Sequence, residues 1–348
     1  MSHNFWKGKK VFVTGHTGFK GAWLTQTLVM MGADVTGYSL PAPTNPSLFG
    51  ELKLKKQIRH IKGDITDRRK IADTIKDSKP EIIFHMAAQS LVRYSYRNPL
   101  ETFDTNVTGT LNVLEACRNS NSLRAAVIIT TDKCYLNNDS GKAFSEDDAL
   151  SGKDPYSASK AAAEIVTSSY YQSFLKEANI PTASMRAGNV IGGGDFSEDR
   201  LIPDVIRAYM AKKPVQIRNP NATRPWQFVL EPLSGYMLLA EKLYKEGHKF
   251  AGGWNFGPEL SDVQPVGEVL NILKRTIPFE LELDKSPQPA EAALLSLSIE
   301  KAKQQLNWKP KLKLNEAIDW TGNWYKQFTE SKKIKDITEG QIKKYFNI

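Results

Sequence analysis

Residues 10–21 read KVFVTGHTGFKG, and this stretch decides the fold. Its first five residues, Lys10–Thr14, form a short apolar run that predicts a buried strand. Three glycines follow as G-x-x-G-x-x-G, and the residues after them predict a helix. Gly15 permits a tight turn, Gly18 lets the backbone approach a ligand, and Gly21 lets the helix pack closely on the strand. Because the free N–H groups at a helix start favour an anion, the stretch predicts a site for a dinucleotide pyrophosphate.

The alternation of strand and helix continues through the first half of the chain. Short apolar runs predict five further strands at Asp34–Tyr38, Ile58–Lys62, Glu81–His85, Ala125–Thr131 and Thr182–Arg186. Longer periodic segments predict helices at Lys20–Met31, Asp67–Asp77, Leu100–Arg118 and Pro155–Leu175. Short buried strands separated by helices are typical of a parallel sheet covered on both faces. The sequence therefore predicts an α/β fold, a Rossmann-type doubly wound parallel sheet.

After Arg186 the regular alternation loosens into loops, short strands and separate helices. This change predicts a second, smaller α/β domain at the C-terminal side that borrows non-contiguous segments. We predict a cofactor domain made of residues 1–188 and about 224–255, and a substrate domain made of about 189–223 and 256–348. The tail after Ser331 is basic, and we expect it to be loosely packed.

The composition is that of an ordinary globular chain of 348 residues with 41% hydrophobic residues. Its two cysteines exclude a disulfide framework, and because no His or Cys spacing suits a metal, we predict no metal site. We find no apolar run of membrane-spanning length and no signal sequence, so we expect a cytoplasmic protein with no membrane partner. The net charge of +9 is spread along the chain. It suits a solvated basic surface or the attraction of anionic small molecules, and we do not predict a nucleic-acid partner.

The end of the second predicted strand bears on the choice of cofactor. Residues 37–40 read GYSL, which offers neither the acidic residue that usually binds the adenosine ribose nor an arginine for a 2′-phosphate. We predict NAD as the cofactor, held less tightly than usual. Asp64, followed by Ile65, either contacts the adenine or serves as a turn residue.

Tyr156 and Lys160 stand four residues apart in a predicted helix, so their side chains share one face. A nearby ammonium group favours the ionised phenol, which can then accept a hydroxyl proton while a hydride leaves the same carbon. Taken alone, such a pair is usually a helix-surface contact. It gains weight because Thr131 ends the fifth predicted strand, at the sheet edge where this fold binds ligands.

Taken together, the glycine turn, Met86–Gln89, Asn106, Thr131 and the Tyr156/Lys160 pair resemble the extended short-chain dehydrogenase/reductase family, and within it the nucleotide-sugar 4,6-dehydratases. The resemblance implies a Rossmann NAD domain, a sugar-nucleotide domain, and a homodimer or homotetramer built on a helix bundle. The cofactor contacts that we predict are Gly15, His16, Thr17, Gly18, Phe19, Lys20, Asp64, Ile65, Ala87, Ala88, Asn106, Tyr156 and Lys160.

Asp132 and Lys133 depart from the pattern of the family, because the dTDP-sugar enzymes carry a glutamate where Lys133 stands here. In this respect the chain resembles dehydratases that act on CDP-glucose. The resemblance implies that Tyr156 takes the C4 hydroxyl proton, Lys133 removes the C5 proton and Asp132 protonates the leaving C6 hydroxyl. The product would be a 4-keto-6-deoxy sugar nucleotide, which would feed 3,6-dideoxyhexose synthesis for the O-antigen of a bacterial lipopolysaccharide.

The predicted substrate contacts are Gln89, Ser90, Asn189, Arg200, Arg218 and Arg224. The resemblance assigns Asn189 to the sugar diphosphate and Arg200 to the nucleotide side. Arg218 and Arg224 lie in a turn-rich segment, and arginine can bind a diphosphate with paired N–H donors. Two alternatives stay open: a nucleotide-sugar 4-epimerase, in which Asp132 and Lys133 would have no task, and a non-catalytic dinucleotide sensor, which should lack the Tyr–Lys pair.

Overall fold

The computed structural model describes residues 3–284, 294–330 and 333–348. Fifteen strands occur in this part of the chain: β1 Lys10–Thr14, β2 Asp34–Ser39, β3 Arg59–Lys62, β4 Ile82–His85, β5 Ala125–Ile129, β6 Ala143–Phe144, β7 Thr182–Ala187, β8 Val190–Ile191, β9 Val215–Ile217, β10 Thr223–Arg224, β11 Gln227–Phe228, β12 Gly252–Phe256, β13 Gln264–Pro265, β14 Leu281–Leu283 and β15 Ser296–Leu297.

Thirteen α-helices occur in the same described ranges: α1 Phe19–Met30, α2 Leu48–Glu51, α3 Arg68–Ser78, α4 Val92–Arg97, α5 Pro99–Phe103, α6 Gly109–Arg118, α7 Pro155–Tyr170, α8 Leu201–Met210, α9 Leu230–Glu246, α10 Val266–Leu273, α11 Glu300–Leu306, α12 Leu314–Thr329 and α13 Ile334–Phe346. We find no helix in the described residues that has the length and apolar character needed to cross a membrane.

Seven parallel strands form the central sheet in the order β12-β7-β5-β4-β1-β2-β3. The chain runs outward from β1 in both directions, so the strand order reverses between β1 and β4. Ligands of doubly wound sheets bind outside the carboxyl ends of the strands at such a switch point. The predicted α/β class and parallel sheet are confirmed.

Two apolar cores cover the two faces of this sheet. Because successive strand residues point to opposite faces, Val11 and Val13 join one core while Phe12, between them, joins the other. The larger core includes Trp23 of α1 and Leu233 of α9, and the smaller one packs against α3 and α6. Both faces are therefore buried, as a parallel sheet requires.

The boundaries of several predicted elements need correction. The fifth strand ends at Ile129, and Thr131 instead begins a short 3₁₀ turn. The helix predicted at Leu100–Arg118 is interrupted by a π-helical turn at Asp104–Thr108, and the helix predicted at Pro155–Leu175 ends in a second π turn. The turn-rich segment that carries Arg218 and Arg224 contains β10, paired with β13.

The C-terminal tail is also corrected, because the end of the chain is packed rather than loose. Ser331 lies outside the described residues, but α13 begins at Ile334 and buries Ile334, Thr338 and Ile342 along one side. The indole N–H of Trp324 donates to Thr338 Oγ1 at 2.9 Å. Helix α13 is therefore part of the core of the C-terminal half.

The predicted domain spans stay a prediction. In their favour, α9 packs against the central sheet and β12 forms its outer strand, so the chain returns to the sheet near residues 230–256. The spans also include residues 285–293 and 331–332, which lie outside the described residues.

Candidate active site

A cavity of about 860 Å³ opens at the carboxyl ends of the strands, at the switch point between β1 and β4. It lies between the central sheet and the segments that carry Asn189, Arg200 and Arg218. Apart from His16 and Asn106, the predicted site residues all line it: Gly15, Thr17, Gly18, Phe19, Lys20, Asp64, Ile65, Ala87, Ala88, Gln89, Ser90, Thr131, Asp132, Lys133, Tyr156, Lys160, Asn189, Arg200, Arg218 and Arg224.

The glycine turn between β1 and α1 forms one wall of the cavity. Gly15 has a φ of +73°, and a Cβ there would lie 2.7 Å from the Ala87 nitrogen. A Cβ at Gly21 would lie 2.1 Å from the Gly15 oxygen, so the helix start packs directly on the turn. Gly18 precedes the helix without any side-chain cap, which leaves the first N–H groups of α1 available to a ligand. The turn therefore fits the pyrophosphate of a dinucleotide.

The end of β2 forms the neighbouring wall with hydroxyl groups rather than carboxylates. Thr17 Oγ1 lies 2.8 Å from Ser39 Oγ and donates to the Leu40 carbonyl at 3.0 Å. Asp64 lines the cavity, and its Oδ1 also accepts from the Thr66 N–H at 2.9 Å, as a turn residue does. The two roles left open for Asp64 are thus compatible with each other.

His16 and Asn106 are the two predicted site residues that do not line the cavity. His16 is fully buried, its Nε2 lies 2.7 Å from His60 Nδ1, and burial lowers its pKa to about 3, so the imidazole is neutral. Asn106 accepts from the Gln89 N–H and donates to the Gln89 carbonyl, both at 2.9 Å. It also donates to Ser159 Oγ at 2.8 Å. Asn106 therefore fixes the backbone of a cavity residue, and its expected contact with the cofactor stays a prediction.

Residues 131–134, which we call the acid–base turn, follow β5 and carry three of the predicted catalytic side chains. Thr131 Oγ1 donates to Asp132 Oδ1 at 3.0 Å and accepts from the Lys133 N–H at 3.4 Å. Lys133 Nζ lies 3.6 Å from the same Asp132 oxygen. Asp132 is 1% exposed, and its Oδ2 is buried without a hydrogen-bond partner among the described residues. An acid and an amine thus stand side by side in the cavity wall.

Tyr156 and Lys160 project from the first turns of α7, whose N-cap is Asp154. Burial raises the pKa of Tyr156 to about 12, although hydrogen bonding to Thr131 and the charge of Arg200 act in the opposite direction. Burial also lowers the pKa of Lys160 to about 8, and its Nζ donates to the Ile129 carbonyl at 3.0 Å.

The acidification of Tyr156 by Lys160 that we expected is therefore absent in the protein alone. Burial penalises the phenolate more than Thr131 and Arg200 favour it, and Lys160 Nζ is bonded to a backbone carbonyl. An additional positive charge in the cavity would be needed to favour phenolate. The pair keeps the placement that the sequence predicts, on one helix face and in one cavity.

Lys20, Arg200 and Arg218 add positive charge to the cavity. Burial and the charge of Arg200 lower the pKa of Lys20 to about 7. Arg200 pairs with Asp195 at 3.4 Å and donates to Ser90 Oγ at 3.1 Å, and Arg218 donates to Asp199 Oδ1 at 2.9 Å. These groups suit the phosphates of a dinucleotide and of a second nucleotide.

The sequence reasoning missed two residues that shape the site. Asp199 accepts from Arg218 and lies 3.6 Å from Arg93, so it joins opposite sides of the cavity. Asp199 has a left-handed φ of +57°, and nothing in the sequence indicates that an aspartate at this position adopts that conformation. Gly188 is the second: a Cβ there would lie 2.8 Å from Asp132 Oδ2. The sequence could have indicated its role, because Gly188 directly precedes Asn189, a predicted substrate contact.

We find no group of three or more His, Cys, Asp or Glu side chains suited to a metal ion in the part of the chain that the structure describes. Cys117 and Cys134 are buried free thiols.

Comparison with known proteins gives a family and several relatives. A family model described as GDP-mannose 4,6 dehydratase matches residues 12–321. The CDP-glucose 4,6-dehydratase of Salmonella typhimurium is 46% identical, over the whole of this chain and 99% of that protein. The dTDP-D-glucose 4,6-dehydratase of Homo sapiens is 27% identical, over 92% of this chain and 90% of that protein.

Solved structures agree on the fold. An epimerase from Methanothermobacter thermautotrophicus superposes with a TM-score of 0.80 at 26% identity, over 94% of this chain and 95% of that one. A UDP-glucose 4-epimerase from Thermus thermophilus, in complex with NAD, superposes with a TM-score of 0.78 at 25% identity, over 91% and 98% of the two chains. The resemblance drawn from the glycine turn and the Tyr–Lys pair is confirmed, and the chain belongs to the GDP-mannose 4,6 dehydratase family of extended short-chain dehydrogenase/reductase enzymes.

Proposed function

We propose that this protein dehydrates CDP-D-glucose to CDP-4-dehydro-6-deoxy-D-glucose, with NAD as a cofactor that is regenerated in each turnover. The observation that carries the proposal is the Asp132–Lys133 pair, which lines the cavity together with Thr131 and Tyr156. The relative with 46% identity over the full chain is a dehydratase of this sugar nucleotide. An acid and a base beside the oxidation site are what a water elimination requires.

The cofactor fits the wall made by the glycine turn and the end of β2. The N–H groups at the start of α1 would hold its pyrophosphate, and Thr17, Ser39 and Asp64 would be the polar groups near its adenosine side. When bound, NAD would supply the hydride acceptor for C4 of the sugar and the hydride donor for C6. Because β2 ends without a carboxylate for the ribose, we expect weaker binding than in family members that have one.

Three protein groups move protons in this proposal. Tyr156 takes the proton of the C4 hydroxyl, and Thr131 orients that hydroxyl from the acid–base turn. Once C4 is a ketone, the C5 hydrogen is acidic, and Lys133 removes it as a neutral amine. Asp132 gives a proton to the C6 oxygen, which leaves as water, and the protonated Lys133 returns a proton to C5 when hydride reaches C6. The 3.6 Å between Lys133 Nζ and Asp132 Oδ1 permits a proton to pass between them, directly or through one water molecule.

The substrate diphosphate lies, in this proposal, among the arginines of the C-terminal side. Asn189 lines the cavity, and its Oδ1 is buried without a hydrogen-bond partner among the described residues. Arg200, Arg218 and Arg224 supply the guanidinium groups, and Gln89 and Ser90 lie at the sugar end. Choice of the cytosine base rests on the similarity to the Salmonella enzyme.

The test is an assay with a set of sugar nucleotides. Purified protein with NAD⁺ is given CDP-glucose, dTDP-glucose, UDP-glucose or GDP-mannose, and the 4-keto product is detected by its absorbance in alkali. We expect product from CDP-glucose and no net formation of NADH. Deuterium placed at C4 should appear in the C6 methyl group. A product that keeps its C6 hydroxyl and is inverted at C4 would identify a 4-epimerase and overturn the proposal.

We also propose that the enzyme is at least a dimer, formed through the adjacent helices α5 and α7. These helices pack side by side and together expose Leu100, Phe103, Ile165 and, in the following π turn, Phe174. Leu100 is 81% exposed and Ile165 57% exposed, which is unusual for apolar side chains on neighbouring helices. A second copy of the same surface would bury them.

Sedimentation analysis tests the dimer. Leu100→Glu with Ile165→Glu should give monomers, because two charges would be buried in the interface. Met210→Glu, an equally exposed apolar position on α8, is the control and should leave the association unchanged. A wild-type protein that sediments as a monomer would contradict this part of the proposal.

NAD and nucleotide sugars are metabolites of the cytoplasm, and a cytoplasmic location is part of the proposal. The product, a 4-keto-6-deoxy sugar nucleotide, is a starting point for 3,6-dideoxyhexoses. Fractionation of producing cells, followed by the CDP-glucose assay on each fraction, checks the location.

A further inference from the structure

A buried ion pair lies behind the active-site cavity, outside its lining. Glu164 on α7 and Arg186 on β7 are 3% and 5% exposed, and Arg186 Nη2 lies 2.7 Å from Glu164 Oε2. A buried pair of this kind contributes little net stability, because both charges lose their hydration. The hydrogen bonds that the pair makes to other residues therefore point to a role other than stability.

The pair is bonded to the residues on both sides of the acid–base turn. Thr130, which directly precedes the turn, donates its hydroxyl to Glu164 Oε1. Tyr135, which directly follows the turn, accepts from Arg186 Nη1 at 2.7 Å. The phenol of Tyr135 in turn donates to Asn255 Oδ1 at 2.7 Å. The four residues that include Asp132 and Lys133 are thus held at both ends by one ion pair.

The same carboxylate also lies near the other half of the site. Glu164 is one helical turn after Lys160 on α7, and its charge raises the pKa of Lys160 against the effect of burial. The helix that carries Tyr156 and Lys160 is therefore connected through Glu164 to the turn that carries the acid and the base. The distance between α7 and the acid–base turn therefore determines whether one bound sugar can reach both Tyr156 and the Asp132–Lys133 pair.

We propose that Glu164 and Arg186 are positioning residues. Through Thr130 and Tyr135, they hold the acid–base turn in a fixed position relative to α7. Neither touches the cavity, so they act on the reaction only through the turn. The inference rests on the proposed function, because it assigns the turn to water elimination. Displacement of reacting groups by about 1 Å can cost about 100-fold in rate.

The experiment uses three isosteric or nearly isosteric variants of the full chain. Thr130→Val removes the hydroxyl bonded to Glu164, and Tyr135→Phe removes the one bonded to Arg186. Tyr135→Phe keeps the ring that stacks on Phe144 at 5.1 Å. The matched control is Ser184→Ala: Ser184 donates to Glu164 Oε2 at 2.6 Å, but from β7 and not from the turn.

We expect Thr130→Val and Tyr135→Phe to lower kcat on CDP-glucose by about 10- to 100-fold with little change in KM. Oxidation at C4 uses Tyr156 of α7 as well as Thr131 and should be slowed less than elimination, so bound NADH should accumulate during turnover and be seen by its near-ultraviolet absorbance. NAD affinity, measured by calorimetry, should not change. Thr130→Ser, which keeps the hydroxyl, should restore kcat. Ser184→Ala should lower the unfolding temperature without NADH accumulation.

If the role is purely structural, all three variants should have a lower unfolding temperature, while kcat per folded enzyme and the NADH signal stay at wild-type levels. That result would overturn the inference. If a variant does not fold, the remaining one with its control decides the question. The proposed function fails separately, because wild-type protein would then form no 4-keto product from CDP-glucose at all.

Discussion

Replacing Lys133 by alanine should separate oxidation of the sugar from loss of water. Lys133 Nζ is the amine of the acid–base turn, 3.6 Å from Asp132 Oδ1 and with its side chain 24% exposed towards the cavity. A positioned general base contributes about 100- to 10,000-fold to a proton transfer, which is about 3–5 kcal/mol of barrier. We therefore expect dehydration by Lys133→Ala to be slower by that factor.

The fold should tolerate this change. An ion pair with one partly exposed member contributes about 1 kcal/mol or less, and Asp132 keeps its bond from Thr131 at 3.0 Å. The unfolding temperature should therefore stay close to that of the wild type. Lys142→Ala is the matched control, since Lys142 forms an exposed ion pair with Asp148 away from the cavity.

The assay follows single turnovers of C4-deuterated CDP-glucose. In Lys133→Ala, NADH should form and then persist, and the recovered sugar should keep its C6 hydroxyl. The control should give labelled 4-keto-6-deoxy product at the wild-type rate. If Lys133→Ala releases that product as fast as the control, Lys133 is not the base and the reasoning from the acid–base turn is refuted.

Three further predictions concern stability and packing. The pKa of Lys160 is about 8 in the folded protein against an ordinary 10.5, so the unfolded chain binds more protons between these two pH values. Stability should therefore rise with pH in this range. Relative to Lys160→Met, the wild type should gain about 3 kcal/mol of unfolding free energy from pH 8 to 10.5, measured by denaturant titration. Gly188→Ala places a Cβ 2.8 Å from Asp132 Oδ2 and should cost about 1–3 kcal/mol and most of the activity, whereas Gly340→Ala, in open space on α13, should be neutral or slightly stabilising in the same assays. Glu231→Ala removes a buried acceptor of two backbone N–H groups and a tyrosine hydroxyl, and calorimetry should show a loss of about 3 kcal/mol.

The sequence was a good guide wherever a pattern was local. Strand β1 has the predicted bounds, because an apolar run followed by a glycine turn leaves few alternatives. Helix α13 was misjudged from its charge, although Ile334, Thr338 and Ile342 recur at helical spacing and could have indicated a buried face. Strand β12 was missed as a strand, since two glycines and an asparagine in its GGWNF sequence are depleted in strands; its Trp254 and Phe256 are buried in the core.

The site shows the same division. Placement in the cavity was predictable for Tyr156 and Lys160 from their spacing, and for the acid–base turn from its position after a strand. For His16 it was not, because Gly37 has no side chain and leaves room for the buried imidazole to pack against its backbone. Nothing local in the sequence joins Thr130 and Tyr135 to one buried ion pair.

By itself the sequence determined the strand–turn–helix start and the alternation of strands and helices in the first half of the chain, and it predicted an acid, a base and a phenol for the site. Only the tertiary structure decided that burial raises the pKa of the Tyr156 phenol against the opposite effects of Thr131 and Arg200, and that Glu164 and Arg186 connect α7 to the acid–base turn. The physical reason is that hydrogen bonds and loss of hydration depend on which side chains meet in space, and those here come from segments up to 120 residues apart.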